Sequence, residues 1–114
     1  MRGMPTAIDF ADLAFSKTAW LFQGGEQADI SIFVVRTPPG GGVGLHVHPY
    51  AETFVLLEGH GRWTVGEETL GLHADQIVVV PPETPHGFEN TSDGPLLVVS
   101  VHDSGVMQQR FLGE

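Results

Sequence analysis

What most constrains this chain is the way its apolar residues are punctuated. No stretch sustains a period of 3.6 residues; short runs rich in Val, Ile, Leu, Phe and Trp are instead broken by Gly, Pro and Asn at intervals of about 8–12 residues. With 15 glycines and 8 prolines in 114 residues, the chain interrupts any long helix and can reverse direction repeatedly. The runs predict strands at residues 20–23, 30–36, 44–48, 53–57, 61–65, 68–70, 76–80, 86–90, 96–102 and 108–112. Turn-forming residues mark hairpins at Glu58-Gly59-His60-Gly61, Gly66-Glu67 and Thr91-Ser92-Asp93-Gly94-Pro95, so neighbouring strands should run mostly antiparallel. The expected fold class is all-β, a sandwich or barrel.

Length allows one domain, and a chain of this size buries roughly 60–70% of the surface its unfolded form exposes. Apolar residues make up 41% of the sequence, with seven Phe and two Trp to fill a core. Residues 1–19 are the least regular. Ile8, Phe10, Leu13 and Phe15 nevertheless give that segment apolar mass to pack on the body of the fold, where it would cover a sheet edge. Pro38-Pro39-Gly40-Gly41-Gly42 reads as a flexible loop.

Against this background one set of polar residues stands out: His46, His48, Glu52 and, in a later run, His86. Three imidazoles and a carboxylate at these intervals, in a chain without cysteine, have the composition of a divalent-metal site. Side chains two apart in a strand share a face, so His46 and His48 can reach one ion. In an unbroken strand Glu52 would lie roughly 13 Å beyond His48, too far for a bond of about 2 Å. The chain must therefore turn between them, and Pro49, which fixes φ and removes a donor, supplies the turn. His86 has to arrive from another strand, after the turn-rich Pro81-Pro82-Glu83-Thr84-Pro85.

These residues carry a family resemblance. Gly40, His46, His48, Glu52 and Gly59 match the cupin motif G-x5-H-x-H-x3-E-x6-G at every fixed position. A second cupin motif matches at Pro81, His86 and Asn90, but two of its glycines are replaced, by Asp75 and Glu83. Both departures fall in turns, away from the ligands. The two motifs and their spacer cover about half the chain. The resemblance implies a single-domain double-stranded β-helix, or jelly roll, over residues 20–114, closing around a cup. It implies His46, His48, Glu52 and His86 as ligands of one divalent transition metal, with Mn, Fe, Co, Ni and Zn all compatible. It also implies pairing as a homodimer through edge strands and terminal segments.

Other residues have both a functional and an ordinary reading. His102 ends the Leu96-Val98-Ser100-His102 face, which becomes polar toward its end; it either reaches the cup or marks a solvated strand end. Tyr50, beside the ligand turn, is read as an ordinary loop aromatic, with gating or proton donation as the alternative. Arg36 and Arg62 could anchor an anionic substrate, although charged strand residues usually face water. Asn90 is either a turn residue or a pocket residue, and Phe88 lies inside as core or as pocket wall. His60 and His73 sit in turn-like contexts and should be exposed.

The net charge of −9, with one lysine and four arginines, argues against nucleic-acid binding. Apolar runs such as 77–80 are too short to span a bilayer, so no membrane segment is expected. The N-terminal residues lack a secretory pattern, which makes the cytoplasm the expected location. Three neutral imidazoles and one carboxylate would lower a divalent ion to about +1 and leave two positions of an octahedral ion for water, dioxygen or a bidentate substrate. The leading expectation is an enzyme acting on a small oxygenated organic molecule, as a dioxygenase or as a Lewis-acid isomerase, cyclase or decarboxylase. The alternatives are a cupin that binds a sugar or metabolite without turnover, and a storage cupin, against which the intact ligand set argues.

Overall fold

A computed structural model of the chain describes residues 5–112. A 3₁₀ turn, Phe10–Leu13, is followed by eleven strands: β1 Ala14–Ser16, β2 Ala19–Gln23, β3 Ser31–Thr37, β4 Gly42–Val47, β5 Glu52–Glu58, β6 His60–Val65, β7 Glu68–His73, β8 Ile77–Val80, β9 His86–Asn90, β10 Leu96–His102 and β11 Arg110–Phe111. They form two sheets, of order β1-β2-β3-β10-β5-β8 and β11-β4-β9-β6-β7. Every pairing between them is antiparallel. The architecture is the all-β jelly roll expected of the sequence. Among the described residues no helix is long and apolar enough to cross a membrane.

Two of the three expected hairpins are something else. Gly66-Glu67 does join the paired strands β6 and β7, but Glu58-Gly59-His60-Gly61 and residues 91–95 carry the chain from one sheet to the other. At Pro49 the chain bends as expected, and that bend too is a corner, since β4 and β5 lie in opposite sheets and do not pair. Local turn chemistry is the same for a hairpin and for a corner, and the packing of the two sheets decides between them.

The corners have visible causes. Gly59 adopts φ +87°, and a Cβ there would meet the Pro95 carbonyl at 2.6 Å, so only glycine fits. Asn90 is fully engaged in a turn role. Its Nδ2 donates to the carbonyls of Thr37 (3.0 Å) and Gly94 (2.9 Å), while its Oδ1 accepts from the Ser92 amide at 2.8 Å.

Strand alternation buries one face of each sheet. Leu96, Val98, Ser100 and His102 on β10 point inward, as do Phe54 and Leu56 on β5. Together with Trp63, Val80 and Phe88 the apolar members make a closed core at one end of the sandwich. There Trp63 and Phe88 stack with centroids 4.7 Å apart, and Phe54 meets Trp63 edge-on at 5.5 Å. Strand β1, which the sequence does not announce, extends the six-stranded sheet through Ala14 opposite Trp20. All three of its residues are exposed, so it has no apolar alternation to read. The other end of the sandwich is where the histidines gather.

Candidate metal centre

The centre begins with an irregularity in β4. Val43 pairs with Phe88 and His46 with His86, so three steps along β4 match two along β9. The extra residue is a β-bulge at Gly44-Leu45, which lets both Val43 and His46 face the interior where plain alternation would oppose them. His86, directly across from His46 on β9, brings its ring to 4.3 Å from that of His46. His48 follows the end of β4 by one residue, and Glu52 enters from the opposite sheet at the start of β5.

Each histidine is oriented by a main-chain acceptor. The Nδ1–H groups of His46, His48 and His86 donate to the carbonyls of Gly44 (2.8 Å), Gln108 (2.6 Å) and Thr84 (2.8 Å). A carbonyl can only accept, so Nδ1 of each ring carries a proton and each Nε2 turns into the centre. Glu52 divides its oxygens. Its Oε1 lies 2.9 Å from His48 Nε2 and 2.7 Å from His86 Nε2. Its Oε2 accepts a short hydrogen bond from Ser100 Oγ and lies 3.3 Å from His102 Nε2.

Electrostatics follow from this packing. Burial pushes His46 down from 6.5 to about 4, against the pull of the Gly44 carbonyl, so it stays neutral. Burial opposes ionisation of Glu52 as well, but contacts with His102, His48 and His86 outweigh it and hold the carboxyl well below the usual range. For His86 burial is again the largest effect, and the hydrogen bonds to Glu52 and the Thr84 carbonyl overcome it, raising the ring above its ordinary value.

The four residues fit a divalent transition metal. One ligand atom from each of His46, His48, Glu52 and His86 lies within 4.8 Å of all the others, and all four residues are buried. His48 Nε2 is buried without a hydrogen-bond partner, because its approach to Glu52 has the distance but not the angle of one. A buried ring nitrogen within 4.8 Å of three other ligand atoms and hydrogen-bonded to none of them is what an ion would use.

The remaining candidates separate clearly. His102 reaches the cup: it is 1% exposed, and its ring contacts that of His48 at 4.7 Å. Tyr50 is buried rather than an ordinary loop aromatic, stacked on His48 at 5.0 Å. Its hydroxyl donates to Gln108 O (3.0 Å) and accepts the Gln108 amide (3.0 Å). Burial raises the Tyr50 phenol, keeping that proton in place. With the hydroxyl proton committed to Gln108, His102 Nδ1–H is the donor in the 2.9 Å contact with Tyr50. His102 Nε2, 3.3 Å from Glu52 Oε2, is buried without a hydrogen-bond partner. Arg36 and Arg62 face solvent and pair with Glu58 and Glu89, away from the cup. His60 and His73 are exposed.

A cavity of about 450 Å³ opens onto the centre, with His46, Glu52, Ser100 and His102 in its wall. Phe15, Phe33, Phe54, Phe88 and Phe111 supply much of the rest, and among the described residues no Lys or Arg lines it. Ser100, Gln108 and Phe111 have parts in this site that sequence reasoning did not assign. The polar break in the inward face of β10 was the signal for Ser100. Nothing local marks Gln108, whose contribution is a carbonyl.

The comparisons agree with this fold. The solved structure of Lactobacillus farciminis oxalate decarboxylase, a formate complex, superposes with a TM-score of 0.79 at 24% identity, over 90% of this chain and 34% of that one. A double-stranded β-helix protein of Klebsiella pneumoniae gives a TM-score of 0.74 at 19% identity, over 97% and 100%. Those likenesses concern the fold. Polyketide synthase CurC of Streptomyces cyaneus is 39% identical over 56 residues, covering 48% of this chain and 36% of the relative. The chain thus spans about a third of that relative's length. A family model for the cupin domain matches residues 33–102, which is more than half of the sequence, and the chain belongs to the cupin family.

Proposed function

We propose that this chain is a metal-dependent enzyme that moves a proton on a small enolisable molecule, as an isomerase, cyclase or decarboxylase would. The observation that carries the reading is His102, a buried histidine of the cavity wall beside the four-residue group whose Nε2 has no hydrogen-bond partner. A divalent ion held by His46, His48, Glu52 and His86 would supply Lewis-acid stabilisation of an enolate oxygen. The chain supplies the rest. His102 is placed to accept the proton, Tyr50 and the Gln108 backbone hold its ring, and the phenylalanine wall offers the substrate an apolar surface. Ser100 fixes the outer oxygen of Glu52 and leaves the inner one for the ion. The stretch shared with a polyketide synthase supports an enolisable substrate class, since polyketide chains carry carbonyls that enolise readily.

The test is deuterium incorporation from D₂O into a panel of enolisable ketones, followed by NMR with the zinc-loaded protein. His102→Gln should slow exchange by about 100-fold or more while the zinc content stays stoichiometric. Exchange unaffected by that change would sink the assignment. Oxygen uptake by the iron(II)-loaded protein would support a dioxygenase instead, and tight binding without either reaction would support a non-catalytic binding cupin.

A further inference from the structure

The stretch shared with the family ends at residues 33 and 102, yet the cavity does not. Strand β1 forms the outer edge of one sheet and β11 the outer edge of the other, and each sends a phenylalanine into the cavity wall, Phe15 and Phe111. Both are 57% exposed, an unusual position for such large apolar side chains. Each heads an aromatic path to the floor. Phe15 meets Phe33 edge-on at 5.1 Å, and Phe33 lies 5.5 Å from His102. Phe111 lies over His46 at 5.3 Å with its plane tilted by 36°.

The charge inside and around the cup limits what can enter. Among the described residues no cationic side chain lines it, so an anionic group lying away from the metal would be desolvated without a partner. The net charge of −9 also disfavours the approach of dianions. A volume of about 450 Å³ lies toward the lower part of the range of roughly 300–1,000 Å³ for small-molecule sites, enough for one or two fused rings.

Resting on the metal reading above, the geometry points to Phe15 and Phe111 as an aromatic jaw that selects an uncharged, planar aromatic ligand carrying an oxygen donor at one end. The ring would lie between the two phenylalanines, with the donor at the floor. Specificity of this chain then resides in the two terminal strands that the family core does not include.

The matched probes are benzohydroxamate and acetohydroxamate, which share one chelating group and differ in the ring, together with oxalate. Binding is measured by calorimetry on the zinc-loaded protein after metal analysis. Benzohydroxamate should bind at least about tenfold more tightly than acetohydroxamate or oxalate. Phe15→Ala and Phe111→Ala, both at exposed positions, should each cut that preference about fivefold and leave acetohydroxamate within about twofold. Equal affinity for the two hydroxamates, tightest binding of oxalate, or a preference unchanged in both variants would overturn the jaw. Failure to retain zinc, seen before any probe is added, would instead overturn the metal reading and the jaw with it.

Discussion

Among the described residues two hold left-handed backbone without being glycine: Asp75 at φ 73° and Glu83 at φ 59°. They are the two positions at which the second cupin motif departs from its glycines, so the turns have kept their shape while losing the residue suited to it. Glu83 needs that shape, because its amide donates at 2.8 Å to the carbonyl of His48 and ties the loop to a residue of the centre. A left-handed L-residue costs about 1–2 kcal/mol, and glycine returns about 0.5–1 kcal/mol of that through the entropy of the unfolded chain. Glu83→Gly should therefore stabilise by roughly 0.5–1 kcal/mol. In a chain of 114 residues this is a rise of about 2–4 °C in Tm. Asp75→Gly should gain close to nothing, since aspartate tolerates this region far better than glutamate. Urea unfolding of the metal-free protein at neutral pH avoids linkage to bound metal. Removing a carboxylate from a chain of charge −9 could stabilise it for another reason, and Glu83→Ala measures that contribution. If Glu83→Gly is no more stable than Glu83→Ala, or if Asp75→Gly gains more, backbone strain is not the cause.

Four further outcomes are expected. His48→Ala and Glu52→Ala should each abolish stoichiometric metal retention, read by metal analysis, while far-UV circular dichroism still reports a β protein; undiminished metal in either variant would refute the ligand assignment. Both nitrogens of His86 face acceptors and its pKa is raised, so an entering ion must displace its Nε2 proton. Metal affinity should therefore be full above that raised value and fall as pH drops through it, with proton release on metal binding detectable in weak buffer below that value. Conversely the lowered His46 costs stability as pH falls from its unfolded value of 6.5 toward about 4, because the unfolded chain binds that proton first. In Gly87→Ala the new Cβ would meet the Val43 carbonyl at 2.6 Å, across from the bulge. Parting β4 from β9 should cost about 1–3 kcal/mol in urea unfolding and weaken metal binding, because the pair His46–His86 spans those strands.

The ten strands read from the sequence all exist, because short alternating runs record which face is buried, and the four-residue group was legible because its flanking Gly and Pro residues repeat a known spacing. What stayed hidden depends on contacts distant along the chain. Tyr50 is buried by Gln108, which returns from 58 residues away. The bulge at Gly44-Leu45 leaves no mark beyond one glycine, yet it decides that His46 faces inward. The corners at residues 58–61 and 91–95 use the same residue types as hairpins, so which sheet each strand joins emerges only from packing. His102 lay between two readings until Tyr50 and Glu52 closed around it.

The acceptors that orient the three imidazoles belong to Gly44, Thr84 and Gln108, and all three are main-chain atoms. A carbonyl is present whatever residue occupies the position. Exchanging side chains at Thr84 or Gln108 leaves the rings held as long as the path of the backbone survives, whereas an inserted or deleted residue would release them. Tolerance to substitution and sensitivity to length therefore coexist at the same three positions. A lineage could rewrite the residues of the C-terminal strand, and with them what the cavity admits, while the histidines below keep their orientation.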